Sequence, residues 1–405
     1  MGLAELPLLL ALVGLAAYVV LGGADFGAGL WHMLLPGERR RPLRDHTYHA
    51  MGPVWEANHV WLIFVLVVVW TGYPRAFGAI FSNLYLPLFA AALGIILRGT
   101  CYAVRGAVSG AREERILGAL FGASSVLTPF ALGAAVGGIA SDRVPLGNAA
   151  GDAIGSWLNP TSALVGVLAV ATSAYLAAVW LTADAARAGH DDIVEAFRAR
   201  ALATGAIAGA IALGGLFVLR SDAERIYEGL TSGSGLVAVA TSAAAGAATM
   251  LFVARRRLEP ARWSAAVAVG AIVAGWALAQ QPLVLPGLTI RAAAAPHDTL
   301  VAVIVAVLGG GAILFPSLAL LFRLVLGGRL GHAEPAPAVR RELAAAALPR
   351  LPLRAAGACL LAGIVLLNVA ETAWAHALGV VALFAFVVLG FLAVAPAATG
   401  IASRE

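Results

Sequence analysis

Residues 6–29 read Leu6-Pro-Leu-Leu-Leu-Ala-Leu-Val-Gly-Leu-Ala-Ala-Tyr-Val-Val-Leu-Gly-Gly-Ala-Asp25-Phe-Gly-Ala-Gly29, with Asp25 the one acidic or basic residue in the whole run. About 20 apolar residues at 1.5 Å each cross the ~30 Å hydrocarbon core of a bilayer. The run has no basic stretch before it and continues through Asp25 without a convincing cleavage site. It therefore reads as a retained transmembrane helix rather than a signal peptide.

Runs of this kind recur along the chain. Of its 405 residues, 61% are hydrophobic and 12% charged, whereas soluble domains carry about 45–50% and about 25%. Such a composition cannot cover a soluble surface. The expected fold class is all-α, a polytopic transmembrane helical bundle. Roughly eleven spans are expected, near residues 6–28, 53–71, 76–98, 115–139, 160–183, 201–219, 235–254, 263–280, 299–322, 355–371 and 375–396.

All 27 basic residues are Arg, a mark of base composition rather than of nucleic-acid binding. With the spans placed as above, the odd-numbered connections and the C-terminal tail hold 22 of them and the even-numbered connections 5. Positive charge favours the cytoplasmic side. The expected orientation is N-terminus outside and C-terminus in the cytoplasm. The two cysteines, Cys101 and Cys359, form no Cys-x-x-Cys pair, so zinc, iron–sulfur and c-type haem attachment lack support.

Residues 1–325 read as one membrane domain of about nine helices. Residues 326–354 read as a cytoplasmic linker, Pro-rich at first and then a short basic amphipathic helix around Arg340-Arg341-Glu342. Residues 355–405 read as a two-helix hairpin and tail. A faint repeat sets Ala24-Asp25 against Ala183-Asp184, four helices apart. Small residues four apart, Gly23 and Gly27, Gly133 and Gly137, Gly205 and Gly209, allow close helix packing. Pro87, Pro129 and Pro316 are expected to kink their spans.

Ionisable groups inside a bilayer cost several kcal/mol unless paired or hydrated. Asp25 lies late in the first span. Glu56 lies early in the second, within Gly52-Pro-Val-Trp55-Glu56-Ala-Asn58-His59-Val-Trp61-Leu-Ile63, and Arg98 closes the third. The alternating direction of the helices brings all three toward the cytoplasmic side. Glu56 and His59, three apart, share a helix face and can share a proton or a water. Two readings follow: carboxylates that exchange protons with cytoplasmic water, or a charge-neutral cluster in which Arg98 satisfies Asp25 or Glu56. Haem would need buried axial ligands. His46, His49, His190, His297 and His332 fall in connections and His32 lies just past the first span. His59, His376 and Met250 sit close to span ends, so the chain is poor in haem ligands.

The strings around Asp25 and Trp55-Glu56, with Arg98 and Ala295-Pro-His297-Asp-Thr-Leu300, resemble subunit II of cytochrome bd-type quinol oxidases, including the cyanide-insensitive branch. The resemblance covers about residues 1–325. It implies two four-helix bundles plus a peripheral helix, and leaves the C-terminal hairpin unexplained. It implies a haem-free subunit of an electrogenic quinol:O₂ oxidoreductase in the bacterial cytoplasmic membrane, without a complete active site of its own. The implied partner is subunit I, which carries haems b and d; quinol and O₂ are substrates of the complex. A small accessory subunit and membrane lipids are further partners compatible with the resemblance. The implied proton path falls on Asp25, Glu56 and His59, with Arg98 as charge partner. Trp55, Asn58 and Trp61 are candidates for packing toward the partner, lipid or quinone. The competing class is a proton-coupled secondary transporter, which repeats and broken helices would suit. Against it, the ionisable residues gather near one face and no second half mirrors the Trp55-Glu56 string. A purely structural scaffold is the third reading.

Overall fold

The computed structural model describes residues 2–35, 40–51, 55–104, 111–326, 350–369 and 372–399. Among these, eight helices are long and apolar enough to cross a membrane. Three shorter apolar helices, Asn58–Gly72, Arg354–Gly363 and Trp374–Phe386, stand where the second, tenth and eleventh spans are expected.

The chain forms two compact units, Met1–Ile313 and Leu314–Glu405. In the first, α1 (Leu6–Ala17), a π-helical turn (Tyr18–Gly22) and α2 (Gly23–Leu34) make one continuous crossing. After α3 (Arg41–Met51) come α4 (Trp55–Gly72), α5 (Pro74–Asn83), α6 (Tyr85–Val104) and α7 (Ala111–Ala140). Then follow α8 (Pro160–Arg187), α9 (Asp191–Asp222), α10 (Glu224–Thr231), α11 (Gly233–Ala254) and α12 (Leu258–Gln280). A two-stranded antiparallel ribbon, β1 (Leu283–Leu285) and β2 (Leu288–Thr289), leads into α13 (Ile290–Ala293) and α14 (His297–Leu326). The boundary between the units falls inside α14.

The first crossing packs on α4 and α7, and α6 packs on α7. Helices α8, α9, α11 and α12 form a second group, and α8 joins the two by lying against α2 and α7. Small side chains permit that junction. The α-carbon of Gly27 stands so close to the Ser173 carbonyl that any side chain would overlap it. Gly133 and Gly137 meet the backbone of α8 in the same way, whereas Gly209 faces open space and makes no such contact. Most of the middle of α8, including Ala174, Leu176, Ala177, Ala178 and Leu181, is buried.

The connections sort into two ends of this unit. At one, the Tyr73 hydroxyl donates to Ala4 O at 2.6 Å and accepts from Leu8 N at 3.0 Å. There too Asn83 Nδ2 donates to Gly147 O at 3.0 Å, Arg143 pairs with Asp222, and Arg225 pairs with Asp142, the last two at 2.5 Å. At the other, a His46 ring nitrogen lies 3.0 Å from Leu181 O, and Arg187 meets Glu259 at 2.8 Å. Arg198 there donates to Val253 O at 3.0 Å. Even-numbered connections thus bond to even, odd to odd, as alternating crossings require.

Three expectations need correction. The third span is not 76–98: the chain breaks at Leu84, leaving α5 as a separate amphipathic helix and Tyr85–Val104 as the crossing. The buried Asn83 carboxamide causes the break by bonding to the 141–151 loop through Pro145 O, Gly147 O and Gly151 N. Arg98 therefore does not close its span but lies six residues inside it, about 9 Å from Val104. Leaving it out of the loop count still gives 21 Arg against 5. Pro87 sits in the first turn of α6, where the amides have no helical acceptor to lose, so it does not kink the span. Pro129 and Pro316 do lie inside their helices.

In the second unit, α15 (Arg350–Val369) and α16 (Ala373–Thr399) pack on each other, Gly363 against Leu383 and the Gly379 carbonyl. The basic amphipathic helix around Arg340 and Arg341, the linker core, Glu371 and the side chain of Asn368 lie outside the described residues.

Two outcomes are expected. Burial pushes the Tyr73 phenol from 10 up to about 12, the Glu5 carboxylate adding to the rise and the bond from the Leu8 amide opposing it. A raised folded-state pKa stabilises below the unfolded value and ceases to do so as pH climbs through the folded one. Tyr73→Phe should therefore lower stability by about 1–2 kcal/mol below pH ~10, and the gap should close toward pH ~12. Paired thermal melts across that range test it, and a pH-independent gap would contradict it. Truncation after Gly328 should leave the Met1–Ile313 unit folded, as native gel migration and limited proteolysis would reveal.

Candidate functional site

A guanidinium inside hydrocarbon needs its donors filled and its charge balanced. Arg98 meets both demands. Asp25 and Arg98 are each 0% exposed. Arg98 Nε donates to Asp25 Oδ2 at 3.1 Å and Nη2 donates to Oδ1 at 2.8 Å. Nη2 also reaches the Asp25 backbone carbonyl at 2.6 Å, and Nη1 bonds to Ser125 Oγ. Tyr102, one turn beyond Arg98, donates its hydroxyl to Asp25 Oδ1 at 3.1 Å. The guanidinium carbon stands 4.3 Å from the centre of the Phe121 ring and 5.2 Å from that of Phe26. Bidentate carboxylate pairing and ring faces both suit the planar guanidinium better than they would an ammonium.

Each element contributes for a local reason. The first crossing supplies Asp25 and, one turn on, Gly29, where any side chain would overlap Ser125 Oγ and Arg98 Nη1. Helix α7 supplies Ser125 and Phe121. Pro129 has no amide hydrogen to give the Ser125 carbonyl, so the helix ladder is open one turn from the serine. The pair is nine residues, about 14 Å of rise, from the end of α2 at Leu34. It lies further from the ends of its helices than its expected place at the end of a span.

The second span approaches through the aromatic neighbour of Asp25. The His59 ring stands edge-on to Phe26 and to Tyr18, both at 6.0 Å between centres. Asn58 Nδ2 donates to Leu21 O at 3.3 Å, reaching the π-helical turn of the first crossing. The Tyr18 hydroxyl, buried, has no hydrogen-bond partner among the described residues. Trp61 packs edge-on to Phe64 at 6.5 Å. Glu56 and Trp55 stand in the first turn of α4, and their side chains lie outside the described residues. The structure thus joins Asp25 to Arg98 and brings His59 and Asn58 beside the same helix. Ser125, Tyr102, Phe121 and Tyr18 escaped the sequence reading, because uncharged polar and aromatic residues are unremarkable in a span. Their one signal is spacing: Tyr102 is four beyond Arg98, and Ser125 four before Pro129.

The second acidic residue of the faint repeat is placed differently. Asp184 is three residues from the end of α8, paired with Arg187 at 3.2 Å and Arg262 at 3.4 Å near the connections. Asp25 and Asp184 are not equivalent in depth.

Two of the described histidines lie among aromatic rings. His59 is wedged between Tyr18 and Phe26, and His32 stands edge-on to Phe121 at 5.7 Å. Among the described residues no three His, Cys, Asp or Glu side chains converge to hold a metal ion.

The comparisons with known proteins agree with this architecture. The family model described as "Cytochrome bd terminal oxidase subunit II" matches residues 3–325. A "Cytochrome bd ubiquinol oxidase subunit 2" of Bacillus subtilis is 28% identical over 129 residues, which is 32% of this chain and 38% of that protein. A "Putative cytochrome bd menaquinol oxidase subunit II" of the same organism is 24% identical over 217 residues, 53% of this chain and 61% of that one. The chain thus spans less than two thirds of these curated relatives' length. A chain of the bd oxidase structure from Geobacillus thermodenitrificans superposes with a TM-score of 0.62 and 23% identity, covering 80% of this chain and 99% of that one; this likeness speaks to fold alone.

Removing one partner of a buried pair leaves an uncompensated charge, at about 3–5 kcal/mol. Asp25→Asn and Arg98→Gln should each destabilise the protein by that order, and the double variant by clearly less than their sum. A thermal-denaturation cycle over the four proteins measures the coupling; strictly additive losses would sink the pair as a stabilising unit.

Proposed function

The chain belongs to the cytochrome bd terminal oxidase subunit II family, and from that premise we propose that it is the subunit II of a heterodimeric, electrogenic quinol:O₂ oxidoreductase of the bacterial cytoplasmic membrane. The match across residues 3–325 carries this reading. Its partner is subunit I, which in this reading holds haems b and d and the sites for quinol and O₂. The Arg bias supports an N-terminus outside and a C-terminus in the cytoplasm.

Within that role the acidic residues divide the work. Asp25 accepts three side-chain hydrogen bonds, two from Arg98 and one from Tyr102. That geometry gives Asp25 the place of counter-ion and anchor for the buried guanidinium. Glu56 and His59 are then the groups that pass protons from the cytoplasmic side. Glu56 is early in its helix, three residues from His59, and His59 stands against the aromatic neighbours of Asp25. Asn58 holds that helix to the first crossing. Trp55 and Trp61 flank the group as packing residues toward the partner or lipid.

Complexes isolated through this chain should show haem absorption that the chain alone lacks; haem retained in stoichiometric amount by the single chain would overturn the assignment. Glu56→Gln should assemble with normal haem content and lose most O₂ reduction, of the order of the 10²–10⁴-fold attributed to a positioned proton carrier. Glu56→Asp should retain part of it. Haem content and turnover are read on the same preparation, and full turnover in Glu56→Gln would remove that carboxylate from any obligatory proton route.

A further inference from the structure

Each helix that holds the buried ion pair carries a ring between that pair and the end where the odd-numbered connections meet. His32 is seven residues beyond Asp25 and Tyr102 four beyond Arg98; Phe121 stands four before Ser125 on α7, which starts at that end. Four residues are about 6 Å of rise, so Tyr102 and Phe121 form the first layer over the guanidinium. Its carbon is 5.4 Å from the centre of the Tyr102 ring and 4.3 Å from that of Phe121. The two rings meet edge to face, 5.1 Å apart at 90°. His32 closes on Phe121 from α2 at 5.7 Å. At Gly122 any side chain would overlap Met33, so α2 and α7 meet beside these rings without a gap.

A further ring comes from α3, in the first connection. Tyr48 stands 5.2 Å from Tyr102 and 6.2 Å from Phe121, ring centre to ring centre. These separations lie within the ~4.5–7 Å of attractive aromatic pairs. Two bonds from the preceding turn bring Tyr48 there. Arg44 donates to the Leu35 carbonyl at the end of α2 at 2.9 Å, and a His46 ring nitrogen lies 3.0 Å from Leu181 O of α8. With α3 fastened to α2 and α8, its Tyr48 ring bridges α6 and α7. Asp25 and Arg98 are fully buried, whereas Tyr48 and Tyr102 are half-buried. The rings, rather than the pair, thus meet the surroundings.

Opposite charges attract several-fold more strongly where water is excluded than beside it, because the effective dielectric falls. We propose that Tyr48 completes an aromatic seal that keeps water at the odd-numbered connections away from Asp25 and Arg98, and so sets the strength of that pair. Tyr48 is a positioning residue: it acts through Tyr102, whose hydroxyl bonds to Asp25 Oδ1, and through Phe121, whose ring lies against Arg98. The inference concerns the pair alone and holds whether or not Glu56 and His59 carry protons.

The test repeats the Asp25→Asn and Arg98→Gln denaturation cycle in Tyr48→Ala and Tyr48→Phe backgrounds, on the complex purified through this chain. Loss of the ring in Tyr48→Ala should cut the coupling between Asp25 and Arg98 by about half or more, since water then enters beside the pair. Tyr48→Phe keeps the ring and should keep the coupling. A ring that merely fills space would lower the stability of all four proteins alike and leave the coupling intact; that result would overturn the proposal. Hydroxyl-radical footprinting, read at Phe121 by peptide mass spectrometry, reports the seal without relying on a variant that folds. Phe121 should resist modification in the unaltered complex and become modified in Tyr48→Ala. Ready modification of Phe121 in the unaltered complex would equally sink the seal.

Discussion

A guanidinium cannot rest in hydrocarbon without a counter-charge and a full set of acceptors. The first bundle is organised around the one that does. Arg98 on α6 joins the first crossing through Asp25, α7 through Ser125, and the aromatic shell through Phe121 and Phe26. Three helices are held in one rotational setting, since turning any of them would remove a partner that water cannot replace. General apolar packing cannot impose this in a bilayer, where lipid competes equally for apolar surface. Small-residue contacts such as Gly27 on Ser173 fix distance; the ion pair fixes rotation.

The same economy separates the roles of the acidic groups. A carboxylate clasped by a bidentate arginine and a tyrosine hydroxyl is committed to its charge, whereas a group able to take and release protons must tolerate both states. Asp25 is the carboxylate so clasped. His59, set against the edges of Tyr18 and Phe26 and one helix turn from Glu56, has no part in that clasp and is the residue to which the proposed role assigns proton passage.

Much of this is legible in the sequence, and the limits have physical causes. Asp25 and Arg98 stand out because hydropathy makes any charge in an apolar run an anomaly. Their depth did not stand out, because the run from Ala76 to Leu97 carries no charge and hides the break at Leu84. That break is made by Asn83 bonding to a loop more than sixty residues away, a tertiary event that local composition cannot register. The choice of Asp25 as the partner of Arg98 was likewise open, since Glu56 offered the same charge at a similar expected level. Alternation of the connections was readable from Arg placement alone, because topology constrains every loop at once.

The π-helical turn at Tyr18–Gly22 has a further consequence. A π turn is an α-helix with one residue added, and one residue is about 100° of rotation. Before the turn, Gly14 faces Phe64 and Val65 of the second span; after it, Gly23 and Gly27 face Ser173 and Ala177 of the fifth. The first crossing is thus two half-helices out of phase, each addressed to a different neighbour. Removing one residue from Tyr18–Gly22 would bring the halves into phase and swing Asp25 about a quarter-turn away from Arg98, disabling the ion pair without touching either of its members.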